Sequence, residues 1–262
     1  MIDIDGLVYR YPTGTTALRG VSLAIAPGET VAIVGQNGAG TTTLVRHLNG
    51  IATPTEGTVT VDGRRTTDHT TAELSRTVGY VFQNPNQQLF ARTVRAEVEF
   101  GPRNLGYDDA RRAELVAWAL RATRLTDLAG QHPYHLSLAE RKRVALASVL
   151  AMDTAVVVLD EPTTGQDHRG VRDVAAIVAE LRERGKTIVA ITHDMDFCAE
   201  NFDRVVLMAR GRVIRDAPSR EAFAEPAEIA EAAVEEPQML RLSTALGRSP
   251  ATTVDQFLEE IS

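Results

Sequence analysis

Residues 30–49 constrain this chain more than any other stretch. Residues 31–34 are a short apolar run rich in β-branched side chains, which reads as a buried strand. Gly35, Gly38 and Gly40 follow within six residues, then Thr41, Thr42 and Thr43, and Leu44, Val45 and Leu48 have helical spacing. A strand, a glycine loop and a helix in that order form a cradle for phosphate, because loop N–H groups and the helix N-terminus point at one anion. Glycines suit such a loop because it must visit positive φ and because bound phosphate leaves little room for a Cβ. The pattern GxxxxGK[ST] is met at every fixed position but one: Gly35, Gly40 and Thr42 fit, with Thr42 supplying a hydroxyl for Mg²⁺, and Thr41 stands where the lysine belongs. Threonine can donate one hydrogen bond but brings no charge.

A second station lies at residues 155–162. The run AVVVL reads as a buried strand, and Asp160, Glu161 and Pro162 sit at its C-terminal end. Carboxylates at the end of a central parallel strand stand where ligand chemistry is expected in an open α/β sheet. There Asp160 can hold Mg²⁺ through water and Glu161 can polarise an attacking water. Residues 187–191 form another buried run, ending at Thr192, His193 and Asp194; a histidine there is either a switch or a satisfied turn residue.

The remaining pattern alternates strands and helices. Residues 1–10 alternate apolar and polar, which predicts an edge strand; residues 21–26, closed by Pro27 and Gly28, predict a second. Tyr11 lies between them and is placed either to stack on an adenine face or to pack as an ordinary surface tyrosine. Strands are predicted at 57–63, 78–82, 205–208 and 212–214. Residues 84–90 read as loop, and 93–100, 108–125 and 170–184 as helices. Between Gln83 and about Ala151 the strand signal vanishes, so an inserted helical subdomain is expected over about 84–151. Ser137 and Glu140 form an S-x-x-E capping box at the head of an amphipathic helix reaching Leu150. From Ala217 acidic and small apolar residues alternate, broken by Pro226, Pro237 and Pro250, which predicts a helical extension over 217–262 following a main unit at 1–216.

Composition bounds the class. The chain has 262 residues, 44% hydrophobic and 24% charged, as expected of a globular protein. No apolar run approaches the ~18 residues that span a bilayer, and the first residues lack the pattern of a signal peptide. A net charge of −7 argues against nucleic acid as partner. Cys198 is the only cysteine, so no intrachain disulfide forms, and it reads as a buried structural thiol. Lys142 and Lys186 are the only lysines, and neither lies near the glycine loop in sequence.

Together these stations resemble the nucleotide-binding subunit of ABC transporters over about the first 216 residues. The segment from Gly35 through Gln36, Asn37, Gly38, Ala39, Gly40, Thr41 and Thr42 to Thr43 resembles the phosphate loop. Gln83 resembles the Q-loop glutamine. Residues 136–140 occupy the signature position, 156–160 with Glu161 resemble Walker B and its catalytic glutamate, and 163–167 resemble the D-loop. His193 resembles the switch histidine and Tyr11 the adenine-stacking aromatic. Within that family, residues 82–90, 93–106, 159–167 and 235–247 look like energy-coupling factor ATPases, which serve importers of vitamins and of cobalt or nickel ions.

The resemblance implies an α/β P-loop fold with a mostly parallel core sheet, an N-terminal antiparallel part, an inserted helical subdomain and a C-terminal helical extension. It implies ATP and Mg²⁺ as cofactors, with Thr42, Gln83 and Asp160 handling the metal, Glu161 orienting water and His193 contacting the γ-phosphate. It further implies a second ABC ATPase, identical or paralogous, a membrane coupling subunit, a substrate-binding membrane subunit, and a peripheral place on the cytoplasmic face of the membrane. The nucleotide site is composite in this family, so Ser137 would meet the nucleotide held by the other subunit. Two departures stand out: Thr41 for lysine, and Leu136-Ser137-Leu138-Ala139-Glu140 for the family's LSGGQ. The leading expectation is a transport ATPase with weakened hydrolysis. The second is an ATP-binding regulatory partner of an active paralogue. A soluble ABC ATPase acting on DNA or ribosomes lacks support, there being no long coiled-coil insert, second cassette or basic patch.

Overall fold

A computed structural model describes residues 1–261. Its centre is a six-stranded sheet in the order β10-β9-β3-β8-β7-β6: β3 (Thr30–Val34), β6 (Val78–Val81), β7 (Val156–Asp160), β8 (Thr187–Ile191), β9 (Arg204–Ala209) and β10 (Arg212–Pro218). All neighbours pair in parallel except β10, which runs antiparallel to β9. Every residue of β3, β6, β7 and β8 is buried, which explains their unbroken apolar runs: a parallel strand covered on both faces has no side to alternate toward water.

Period two divides these strands between two cores. Ala32, Val34, Val157, Leu159, Ile188 and Ala190 face a helical layer. Val31, Ile33, Val156, Val158, Val189 and Ile191 face the other way, onto a four-stranded antiparallel sheet and the helix after β3. That second sheet runs β2-β1-β4-β5, from β1 (Ile2–Arg10), β2 (Thr16–Ile25), β4 (Glu56–Val61) and β5 (Arg64–Arg65). The predicted edge strand is a correction. β1 lies inside its sheet, pairing with β2 on one side and β4 on the other. Alternation reports one buried face, which interior and edge strands share.

The helices are α1 (Thr41–Val45), α2 (Thr71–Leu74), α3 (Val94–Leu105), α4 (Asp109–Ala122), α5 (Leu138–Leu150), α6 (His168–Glu183) and α7 (Met195–Asn201), followed by α8 (Ser219–Ala222), α9 (Pro226–Ala232), α10 (Gln238–Ala245) and α11 (Val254–Ile261). Helices α3, α4 and α5 fall between β6 and β7, where no strand was expected. The capping box is present in full at α5: Glu140 N–H donates to Ser137 Oγ at 3.2 Å, and Ser137 N–H to Glu140 Oε2 at 2.8 Å. The predicted helix after the glycine loop is short, with Leu48 buried beyond its end.

Of the C-terminal helices, α8, α9 and α10 do not stand off from the core. Ala222, Phe223, Ile229, Ala232 and Leu240 are buried in the same cluster as the sheet's helical face. Cys198 is fully buried. Among the described residues no helix is long and apolar enough to cross a membrane.

Candidate active site

β3 delivers the chain into the glycine loop. A Cβ on Gly35 would lie 2.3 Å from the Met208 carbonyl oxygen, so the side chain is forbidden by β9 itself. Gly40 has φ +104°, and a Cβ there would lie 2.8 Å from the Ala17 carbonyl oxygen. Gly38 at φ +86° has open space around it, so conformation alone selects glycine. The reason for glycine at 35 and 40 is therefore the protein's own backbone, before any ligand is considered.

Within the loop only Ala39 and Gln36 commit their N–H groups: Ala39 donates to Gln36 O and Gln36 to Ala232 O, each at 2.9 Å. Among the described residues the N–H groups of Asn37, Gly38, Gly40, Thr41, Thr42 and Thr43 meet no acceptor. They form a concave run of unpaired donors at the head of α1, which is the geometry of an anion cradle. Among the described residues the Thr41 side chain makes no hydrogen bond, and no Lys or Arg lines the cavity above the loop.

That cavity has a volume of about 270 Å³. It gathers Tyr11, Gln36, Asn37, Gly38, Gly40, Thr41, Thr42, Thr43, Gln83, Glu161 and His193 from the predicted set, together with Thr15, Thr16, Ala17 and Ile191, which nothing in the local pattern had marked. Gly35 and Ala39 are buried within the loop. Tyr11 is held at the rim by a 2.8 Å hydrogen bond between its hydroxyl and Thr43 Oγ1, with its ring edge-on to Tyr9.

Asp160 is 1% exposed and reaches the cavity through Thr42, whose Oγ1 donates to Asp160 Oδ1 at 3.3 Å. Its other oxygen, Oδ2, accepts from Tyr80 at 2.7 Å. Burial pushes the Asp160 carboxyl above the usual carboxylate range, against the opposing pull of Tyr80 and Thr42. Tyr80 is raised in turn, by burial first and the Asp160 charge second. Sequence reasoning passed over Tyr80. A tyrosine in an otherwise aliphatic strand is the signal that could have found it, since a buried hydroxyl needs a partner.

Glu161 is 4% exposed and has a left-handed backbone, φ +54°. Its N–H donates to Ile191 O at 2.9 Å and its Oε2 accepts from Thr164 Oγ1 at 2.9 Å. Oε1 is buried without a hydrogen bond; His193 Nε2 stands 3.1 Å from it but out of line. Burial raises the Glu161 carboxyl, and the nearby His193 works against that rise. A buried carboxylate oxygen with no hydrogen bond, held only beside His193, is one that a ligand or water can satisfy. Lys142, remote in sequence, reaches this turn: its Nζ donates to the carbonyls of Glu161 at 3.2 Å and Thr164 at 2.6 Å.

Ser137 lies outside the cavity. Its hydroxyl donates to Glu140 Oε2 at 2.7 Å, and these bonds hold the Glu140 carboxyl below its ordinary range. Both the proton and one lone pair of the hydroxyl are thus engaged within the helix cap.

A family model described as ABC transporter matches residues 18–164, which hold both the cradle and the carboxylates. The chain belongs to the ABC transporter ATP-binding family. Its relatives include energy-coupling factor transporter ATP-binding proteins EcfA of Methanothermobacter thermautotrophicus, 41% identical over 94% of this chain and 80% of that protein, and of Methanocaldococcus jannaschii, 37% identical over 95% and 90%. Among solved structures, CbiO1 of Clostridium perfringens, described as part of the ABC transporter complex cbiONQ, superposes with a TM-score of 0.77 at 34% identity, covering 94% of this chain and 98% of that one. ABC ATPases bind ATP, normally with Mg²⁺, and hydrolyse it. The present donors fit that pair: a concave run of free amides suits a polyphosphate, and one hydroxyl beside one carboxylate suits a hard cation that also binds phosphate oxygens and water.

Proposed function

We propose that this chain is the ATP-binding subunit of an energy-coupling factor importer, coupling ATP binding and hydrolysis to uptake of a small solute, a vitamin or a transition-metal ion. The observation that carries this reading is the meeting of free loop amides and Glu161 at one cavity, with Asp160 hydrogen-bonded to Thr42 behind its wall. The residues divide the work. Loop amides hold phosphate, Tyr11 stacks on adenine, and Thr42, Asp160 and Gln83 hold Mg²⁺, which supplies neutralisation of phosphate charge. Glu161 orients and deprotonates the attacking water with Oε1, which has no hydrogen bond among the described residues, while His193 contacts the γ-phosphate.

In this reading residues 1–216 form the nucleotide-binding unit, 84–151 its helical arm, and 217–262 its extension. Ser137 faces the nucleotide of a second ATPase subunit, identical or paralogous. A groove of about 240 Å³ beside the arm, with exposed Phe90 and Phe100 in edge contact at its mouth, receives a membrane coupling subunit. A substrate-binding membrane subunit completes the importer on the cytoplasmic face of the membrane; nucleic acid has no part.

Hydrolysis at the chain's own loop is slow, because no ammonium replaces the charge missing at Thr41. A second reading, a regulatory partner that binds ATP beside an active paralogue, draws support from the engagement of Ser137 with Glu140. Purification of the tagged chain from detergent-solubilised membranes tests the importer reading. A polytopic membrane protein and a second ATPase should accompany it; recovery with ribosomes or DNA instead would overturn it.

A further inference from the structure

Lys142 lies on α5, five positions after the Ser137 cap. Its ammonium is half-buried, yet among the described residues it forms no ion pair; it donates instead to two main-chain carbonyls, Glu161 O and Thr164 O. A desolvated cation with no carboxylate in direct contact, drawn only at longer range by the charges of Glu161 and Asp160, is a costly way to fill space, and an apolar side chain of similar length would pack there at less cost. The expense has a visible return. Both carbonyls belong to the turn that holds Glu161 at φ +54°, a conformation that persists in a non-glycine residue only when its surroundings over-determine it.

The turn is fixed from three sides. Ile191 O accepts the Glu161 N–H, Thr164 Oγ1 holds Glu161 Oε2, and Lys142 clamps the carbonyls at positions 161 and 164. Gln166 Nε2 adds a second tie to α5 through Ala139 O at 3.3 Å. Of these, Lys142 alone brings a formal charge to the turn's backbone. We propose that Lys142 is a positioning residue for Glu161, fixing the place of its carboxylate beside His193 through the backbone that carries it. The inference rests on the reading of Glu161 as the water-orienting group. Since Lys142 belongs to the helix that Ser137 heads, displacement of α5 against β7 reaches Glu161 through this side chain.

The experiment compares the purified full chain with Lys142→Met and Lys142→Arg. It measures Mg-ATP affinity by calorimetry, the single-turnover rate of γ-phosphate release with protein in excess, and the melting temperature. Misplacing a reacting group by about 1 Å costs on the order of 10²-fold, so Lys142→Met should lower the single-turnover rate by roughly that factor. Its Mg-ATP affinity should stay within about twofold of the parent, because rate and binding separate when only transition-state geometry is lost. Lys142→Arg, whose guanidinium also offers paired donors, should recover most of the rate. If Lys142→Met does not melt cooperatively, Lys142→Gln is read in its place for the same separation of rate from affinity. A Met or Gln variant as fast as the parent, or one losing rate and affinity in proportion, would overturn the assignment. A parent chain that binds no Mg-ATP would overturn instead the nucleotide reading beneath it.

Discussion

Thr42 Oγ1 donates to Asp160 Oδ1 at 3.3 Å, joining the head of α1 to the end of β7 across 118 positions of sequence. This contact sets Asp160 directly behind Thr42, while Glu161 lines the same cavity as the loop. Thr41, adjacent to Thr42, contributes a side chain with no charge and, among the described residues, no hydrogen bond. On the proposed reading, phosphate binding and phosphate hydrolysis part company at these neighbouring residues.

Restoring the cation should show this. A preorganised charged donor aimed at developing phosphate charge is worth roughly 10²–10³ in rate, about 2.7–4 kcal/mol of transition-state stabilisation. Thr41→Lys should raise steady-state ATP hydrolysis of the purified chain by a factor in that range, with a smaller change in Mg-ATP affinity. A fast parent enzyme left unchanged by the substitution would refute the role given to position 41.

Burial raises the carboxyl of Glu161, so the native chain holds that proton more tightly than the unfolded chain does. The stabilisation is full below the ordinary carboxylate value of about 4.3 and is lost as pH rises through the raised native value. The ionised carboxylate therefore destabilises the chain above that window. Glu161→Gln should melt higher than the parent at about pH 8, with the difference shrinking as pH falls toward about 5, while hydrolysis drops by about 10²-fold or more. Differential scanning fluorimetry across pH and an ATPase assay check both halves; a variant less stable than the parent at alkaline pH would contradict the electrostatic assignment.

The two loop glycines should fail differently. Gly38→Ala meets no atom and costs about 1–2 kcal/mol for its left-handed backbone. Gly35→Ala drives a methyl into the Met208 carbonyl and should cost about 1–3 kcal/mol or more in overpacking. Urea denaturation should rank Gly35→Ala as the less stable; the reverse order would mean the close approach of β9 is misplaced.

At α5 the cap is structural as it stands. Ser137→Ala should cost about 1 kcal/mol through loss of the N-cap. Glu140→Gln keeps an oxygen for the box while removing charge, and its cost should stay below about 0.5 kcal/mol, as for ordinary surface changes. Chemical denaturation of both variants decides; equal losses would show that the Glu140 charge, rather than the box, holds the helix start.

Much of this was legible in the chain because it is written locally. The buried runs of β3, β7 and β8, the glycine loop and the Ser137–Glu140 box each occupy a few consecutive residues whose types have few alternatives. What escaped are pairings across the fold. Tyr80 with Asp160, Lys142 with the Glu161 turn, and Gln36 with Ala232 join residues whose own surroundings say nothing of the partner. The interior place of β1 was hidden for the same reason, since a ladder on a strand's second edge leaves no mark in its alternation. The acidic run near the C-terminus likewise reads as solvated, and Ala224, Ala227, Ala230 and Ala233 are exposed, yet Ala222, Phe223, Ile229 and Ala232 are buried and the Ala232 carbonyl accepts from Gln36 of the glycine loop.

The central claim is that free amides at the head of α1 capture a nucleotide triphosphate without the usual ammonium. Calorimetric titration of the purified chain with Mg-ATP tests it most directly. Saturable binding with one site per chain at submillimolar to millimolar nucleotide, weakened by Gly38→Ala, is the result expected. No heat at millimolar Mg-ATP, for the chain alone and for the chain assembled with its partners, would contradict it.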